Sequence, residues 1–154
     1  NDYMKVIGIN SLAVLAMSVL EEAREKNCRY IISSIDTKRG DIFVQTFEVN
    51  NIVKSEFPFS VINEIEILEI QNLKNYLLTH KLITKNVLFT GHNSELLKNK
   101  IINLKTSIQD NQNSNALSVG KLALHFIDKN IDFKNTGIIF NSLKPIYIRS
   151  PEIN

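Results

Sequence analysis

The stretch from Arg29 to Val49 constrains this chain more than any other. Arg29 to Ile35 is dense in β-branched and aromatic residues, the composition of a strand. Asp36-Thr37-Lys38-Arg39-Gly40 then reads as a turn, because Gly40 can supply a positive φ angle without steric cost. Asp41 to Val49 alternates, with Ile42, Val44, Thr46 and Glu48 on one face and Phe43, Gln45 and Phe47 on the other. The pattern predicts a β-hairpin.

The flanking segments extend it. A third strand is expected at Ile52 to Phe57, ended by Pro58. Before the hairpin, Leu12, Leu15, Ala16 and Val19 recur at helical spacing, which predicts one helix over Ser11 to Lys26. Asn10 or Ser11 can cap it, and Asn27 can stop it. After the hairpin, helical spacing returns at about Ile70 to His80, and Asn86 to Thr90 reads as a short buried strand ended by Gly91. Ser94 can cap a helix through Leu96, Leu97 and Ile101. A strand near Leu104 to Ile108, a polar loop over Gln109 to Asn115 and an amphipathic helix over Ala116 to Lys129 follow. That helix carries Leu117, Val119, Leu122, Leu124, Phe126 and Ile127. Ile138 to Phe140 and Ile146 to Ile148 are apolar runs near the end. A helix, a three-strand antiparallel meander and then alternating helices and strands predict one α/β domain with a mixed sheet flanked by helices. That order is the ribonuclease-H-like topology, which also forms each lobe of the actin-like ATPase and sugar-kinase superfamily.

Composition removes several classes of function. At 154 residues the chain suits a single domain with its own core. A net charge of +2 is too small to argue for a nucleic-acid or membrane surface. The single cysteine, Cys28, allows no internal disulfide and no thiolate cluster, and is best read as buried filler. No apolar run approaches the ~18 residues of a membrane span. A reduced, cytoplasmic setting is the expectation. The first residues, Asn1-Asp2-Tyr3-Met4, suggest a truncated product.

Few residues invite chemistry. Asp36, Asp41 and Glu48 could suggest the two-metal site of a ribonuclease-H-like nuclease. That site needs a further carboxylate on the fourth strand, where Asn86 to Thr90 has none. Turn acids that bond the backbone or pair with Arg39 are the plainer reading. His80, His92 and His125 show no ligand spacing. His80 ends a helix, where a partial positive charge is favourable. Thr90-Gly91-His92-Asn93-Ser94 is a strand-to-helix turn rather than a phosphate loop, since one glycine is a poor fingerprint. No metal or cofactor is expected.

Three segments together resemble the TsaB (YeaZ) family. Val6-Ile7-Gly8-Ile9-Asn10-Ser11-Leu12 is similar to that family's strand-to-helix "gvsTL" segment. Ile32-Ser33-Ser34-Ile35-Asp36-Thr37-Lys38-Arg39-Gly40-Asp41-Ile42-Phe43 resembles its "aaiDArrgEvY" hairpin, and Lys144-Pro145-Ile146-Tyr147-Ile148-Arg149 resembles "ePvYlR". Phe89-Thr90-Gly91-His92 sits where the family has a short strand ending in glycine. Thr37 and Lys38 depart from the family's small and basic pair, and Asp41 replaces a glutamate. The glycine-rich "GPGSFTGlR" segment of the family's first lobe is absent. The resemblance therefore covers residues 1–154 as one domain, the second lobe and C-terminal tail of a two-lobed protein.

The resemblance implies a non-catalytic scaffold. Proteins of the family partner TsaD, which carries the catalytic metal, in threonylcarbamoyladenosine modification of tRNA next to the anticodon. An ATPase, TsaE, cycles the complex, so tRNA is met only indirectly. Asp36, Arg39 and Arg149 are the candidates for a partner-facing polar patch. A lobe without its neighbour would expose apolar surface, so a homodimer is also expected. The alternatives are an enzyme lobe of the actin-like kinase or peptidase-labelled type, and a ribonuclease-H-like nuclease.

Overall fold

The expected hairpin forms the middle of the structure, a computed structural model that describes residues 7–50, 57–92, 106–109, 115–128 and 139–140. In chain order the elements are β1 (Gly8–Ile9), α1 (Ser11–Ser18), α2 (Leu20–Glu25), β2 (Tyr30–Asp36), β3 (Asp41–Val49), β4 (Phe59–Val61), β5 (Glu66–Glu69), α3 (Leu73–Thr79), β6 (Val87–Gly91), β7 (Thr106–Gln109), α4 (Ala116–Asp128) and β8 (Ile139–Phe140). A 3-10 turn, Ile70–Asn72, leads into α3. β2 and β3 are antiparallel, with Tyr30 opposite Glu48 and Asp36 opposite Ile42. β4 joins β3 antiparallel, while β6 and then β7 extend the sheet beyond β2 as parallel strands. The order is β4-β3-β2-β6-β7, with β5 sharing the outer edge of β3. This is the mixed sheet with an antiparallel three-strand meander that the sequence predicts. β1 and β8 form a separate antiparallel pair.

Both faces of the sheet are covered. On one, Ile31, Phe47, Val49 and Leu88 pack with Leu12, Val14, Val19 and Leu20 of the α1–α2 segment and with Leu122 of α4. On the other, Ile32, Ile42, Val44, Val87 and Phe89 pack with Leu73, Tyr76 and Leu77 of α3 and with Leu82. Strands buried on both sides read as continuous apolar runs, which is why β2 and β6 show little alternation. Phe47 meets Phe59 edge to face at 5.0 Å, joining β4 to the first layer.

Several features differ from expectation. The first helix is split at Val19, whose φ of −113° and ψ of 8° are not helical. Ser18 Oγ donates to Leu15 O at 2.6 Å, and a serine bonding back onto the preceding turn bends a helix. A strand follows Pro58, at Phe59–Val61, while 51–56 of the expected third strand lie outside the described residues. Asn50 N donates to Pro58 O at 3.0 Å, and the ladder then starts at Phe59, where N–H groups are available again. β5 was not expected as a strand, because only Leu68 of its four residues is buried. In α4 the residues turned inward are Ser118 and Leu122, whereas Leu117, Leu124 and Ile127 are 69%, 59% and 64% exposed. Leu117, Leu124 and Ile127 are therefore not part of its buried face. The expected helix after Ser94 and the run Ile146 to Ile148 lie outside the described residues.

Gly91 closes the end of the β2–β6 pair. It stands opposite Ser34 with φ of +94°, and a Cβ there would lie 2.1 Å from Ser34 O. His92 N then donates to the same carbonyl at 2.9 Å. Gly40 has φ of +88° but open space around it. Gly91→Ala is expected to cost about 3 kcal/mol or more, from strain and backbone overlap together, and Gly40→Ala about 1 kcal/mol from strain alone. Urea unfolding of the two variants checks this order.

Candidate partner-facing site at the hairpin turn

The β2–β3 turn is held by its own side chains. Asp36 Oδ1 accepts from Lys38 N at 2.7 Å, and Oδ2 lies 3.1 Å from Lys38 Nζ. The Lys38 backbone N–H, followed by its ammonium, holds the Asp36 carboxyl below the usual carboxylate range. Lys38 itself takes φ of +61°. Thr37 Oγ1 donates to Asp41 O at 3.0 Å, bonds the Asp41 carboxylate, and accepts from Arg39 N at 3.2 Å. Each backbone bend is thus fixed by a local Asx- or Thr-type hydrogen bond.

Asp36 and Arg39 flank this turn, Asp36 at the end of β2 and Arg39 just before β3. Arg39, Gly40 and Asp41 form one wall of an open cleft of about 420 Å³, and Glu69, Ile70 and Gln71 form the other. The cleft carries both signs of charge. The third residue expected at this patch, Arg149, lies outside the described residues.

The other candidates are dispersed. Asp41 and Glu48 sit at opposite ends of β3, roughly 20 Å or more apart at the rise of a strand. Glu48 accepts from Arg29 Nε at 2.8 Å and lies 2.7 Å from Arg29 Nη2. The parallel strand beside β2 is Val87-Leu88-Phe89-Thr90-Gly91, with no carboxylate. Among the described residues no three His, Cys, Asp or Glu side chains gather as metal ligands would. His80 follows α3 as its C-cap, with Nε2 2.8 Å from Glu66 Oε1 and its ring 4.5 Å from that of Tyr76. His92 follows Gly91, and His125 lies 5.9 Å from Phe57. Cys28 is buried, with Sγ 3.8 Å from Asn86 Oδ1.

A polar network around Asn63 has no signature in the sequence. β4 covers β3 at Phe47–Val49 and β5 covers it at Asp41–Val44, which leaves Gln45 and Thr46 facing the gap. Asn63 fills it. Its Oδ1 accepts from Thr46 N at 3.0 Å and from Tyr76 OH at 3.3 Å, and its Nδ2 donates to Glu66 Oε1 at 2.8 Å. Gln45 Nε2 donates to Asn63 O at 3.2 Å, and Asn10 Nδ2 donates to Gln45 Oε1 at 2.6 Å. Asn10 Oδ1 in turn caps α1 by accepting from Leu12 N. Tyr76 OH also lies 2.6 Å from Thr46 Oγ1. Burial pushes the Tyr76 hydroxyl up to about 12, against the hydrogen bonds it shares with Thr46 and Asn63.

No family model matches the sequence, and no curated protein does. Among solved structures, the chain is similar to a protein from Pseudomonas aeruginosa described as uncharacterized with similarity to the peptidase YeaZ. The two are 12% identical, with a TM-score of 0.56 over 90% of this chain and 56% of that one. YeaZ from Pseudomonas aeruginosa is 10% identical, with a TM-score of 0.49 over 77% of this chain and 50% of that one. The chain spans about half the length of these structures. The chain shares the α/β fold of the YeaZ-like protein. Among the described residues, no helix is long and apolar enough to cross a membrane.

Tyr76 generates an alkaline prediction. A group whose folded pKa lies above its unfolded value contributes stability that is complete below pH 10 and is lost as pH rises from about 10 to about 12. Two units correspond to roughly 2–3 kcal/mol. Tyr76→Phe should remove this alkaline loss, while costing about 1 kcal/mol at neutral pH for the broken hydrogen bonds. Urea midpoints of both proteins across pH 7 to 12 check it.

Proposed function

We propose that the chain is a lobe of a TsaB-like (YeaZ family) scaffold, built on the ribonuclease-H-like fold of the actin-like ATPase superfamily. The observation that carries this reading is the fold shared with the YeaZ-like protein over 90% of the chain. The motif segments support it by their place. Ile7 to Leu12 spans the passage from β1 into α1, and Ile32 to Phe43 is the β2–β3 turn with its flanking strands. The order β4-β3-β2-β6-β7 agrees with the superfamily's topology.

In this reading the lobe holds partners and makes no bonds. A TsaD-like subunit transfers the threonylcarbamoyl group to the adenosine adjacent to the anticodon, and a TsaE-like ATPase cycles the complex in the cytoplasm. The rigid turn bearing Asp36 and Arg39 faces a partner. In this reading a companion lobe supplies most of the TsaD contact.

Calorimetric titration against a TsaD-like subunit tests the proposal. A two-lobed form should bind saturably, and the 154-residue chain at least about tenfold more weakly, a difference of roughly 1.4 kcal/mol. No binding by the two-lobed form would contradict the proposal. So would metal-dependent cleavage of nucleic acid by this chain that disappears in Asp36→Ala.

A further inference from the structure

The row of side chains beneath α1 is polar in the middle of an otherwise apolar core. Gln45, Ser33 and Thr90 stand side by side on β3, β2 and β6, paired in register and so on one face of the sheet. Their relative exposures are 1%, 0% and 0%. On the β3 side the row is satisfied, because Gln45 accepts from Asn10 and donates to the Asn63 carbonyl. On the β2–β6 side it is not. Among the described residues neither Ser33 Oγ nor Thr90 Oγ1 meets a hydrogen-bond partner.

Two adjacent unsatisfied hydroxyls in a closed core are costly, and native interiors seldom leave such groups unpaired. Neighbouring strands lie about 4.8 Å apart, so β-hydroxyls on register-paired residues of one face can both reach a single small ligand between them. A neutral ligand suits the site, since Gln45, Ser33 and Thr90 carry no charge. It must also both donate and accept, since each hydroxyl does. We propose that Ser33 and Thr90 form a binding site for one internal water molecule, which bridges β2 and β6 and completes the row that Asn10 and Gln45 begin. The site is in the core and does not depend on the function proposed for the turn.

Two measurements test the site. A crystal structure at about 1.5 Å resolution should show an ordered water within about 2.5–3.0 Å of both Ser33 Oγ and Thr90 Oγ1. Hydroxyls bonded to each other or to backbone carbonyls, with no water between them, would overturn the proposal. Thermal unfolding of Ser33→Ala, Thr90→Val and the double variant forms a cycle. Each single change leaves the water and the other hydroxyl short of a partner, so Tm should fall by about 3 °C or more. The double variant removes all three together and should melt no lower than the worse single variant. Losses that simply add would contradict a shared ligand.

Discussion

Strand β3 is buried on both faces and hydrogen-bonded along both edges, and the elements around it are placed by that fact. β2 occupies one edge along its length, while β4 and β5 divide the other. One face of β3 directs Phe47 and Val49 at the α1–α2 layer, and the other directs Ile42 and Val44 at α3. Fully burying a side chain of this kind contributes about 1.5–3 kcal/mol, so a strand that does so on both faces stabilises two layers at once. A helix on only one side would leave half of those residues in water.

The division of the outer edge creates a place where the ladder needs help. Between β4 and β5 the backbone of Thr46 has no strand opposite it, and Asn63 together with the Ile62 amide replaces one. From there polar contacts run through Gln45 to the cap of α1 and through Tyr76 to α3. The same few amides therefore tie the sheet to the helices on both of its faces. Buried networks of this kind specify a single arrangement only when each member is satisfied.

The hairpin was legible because its information is local. The turn residues, the positive φ of Gly40 and the span of β3 from Asp41 to Val49 all follow from neighbours in sequence. The α3 region and the strand ending at Gly91 were legible for the same reason. The polar network was not, because Asn63 is an ordinary loop asparagine until β4 and β5 are seen to leave a gap. Nor was the inward face of α4, where Leu122 and Ser118 rather than the more numerous leucines meet the core. At the turn, Asp36 and Arg39 were picked out from the motif, and what Asp36 holds is the backbone of Lys38.

The account rests on the β2–β3 pair being the last part of the molecule to come apart. Native-state hydrogen exchange measures this directly, since amides that open only on global unfolding exchange slowest. The account predicts that amides of β2 and β3, including Ile32, Val44 and Phe47, set that limit, and that those of α4 and the 3-10 turn exchange faster. Protection greater in α4 than in β3 would contradict it.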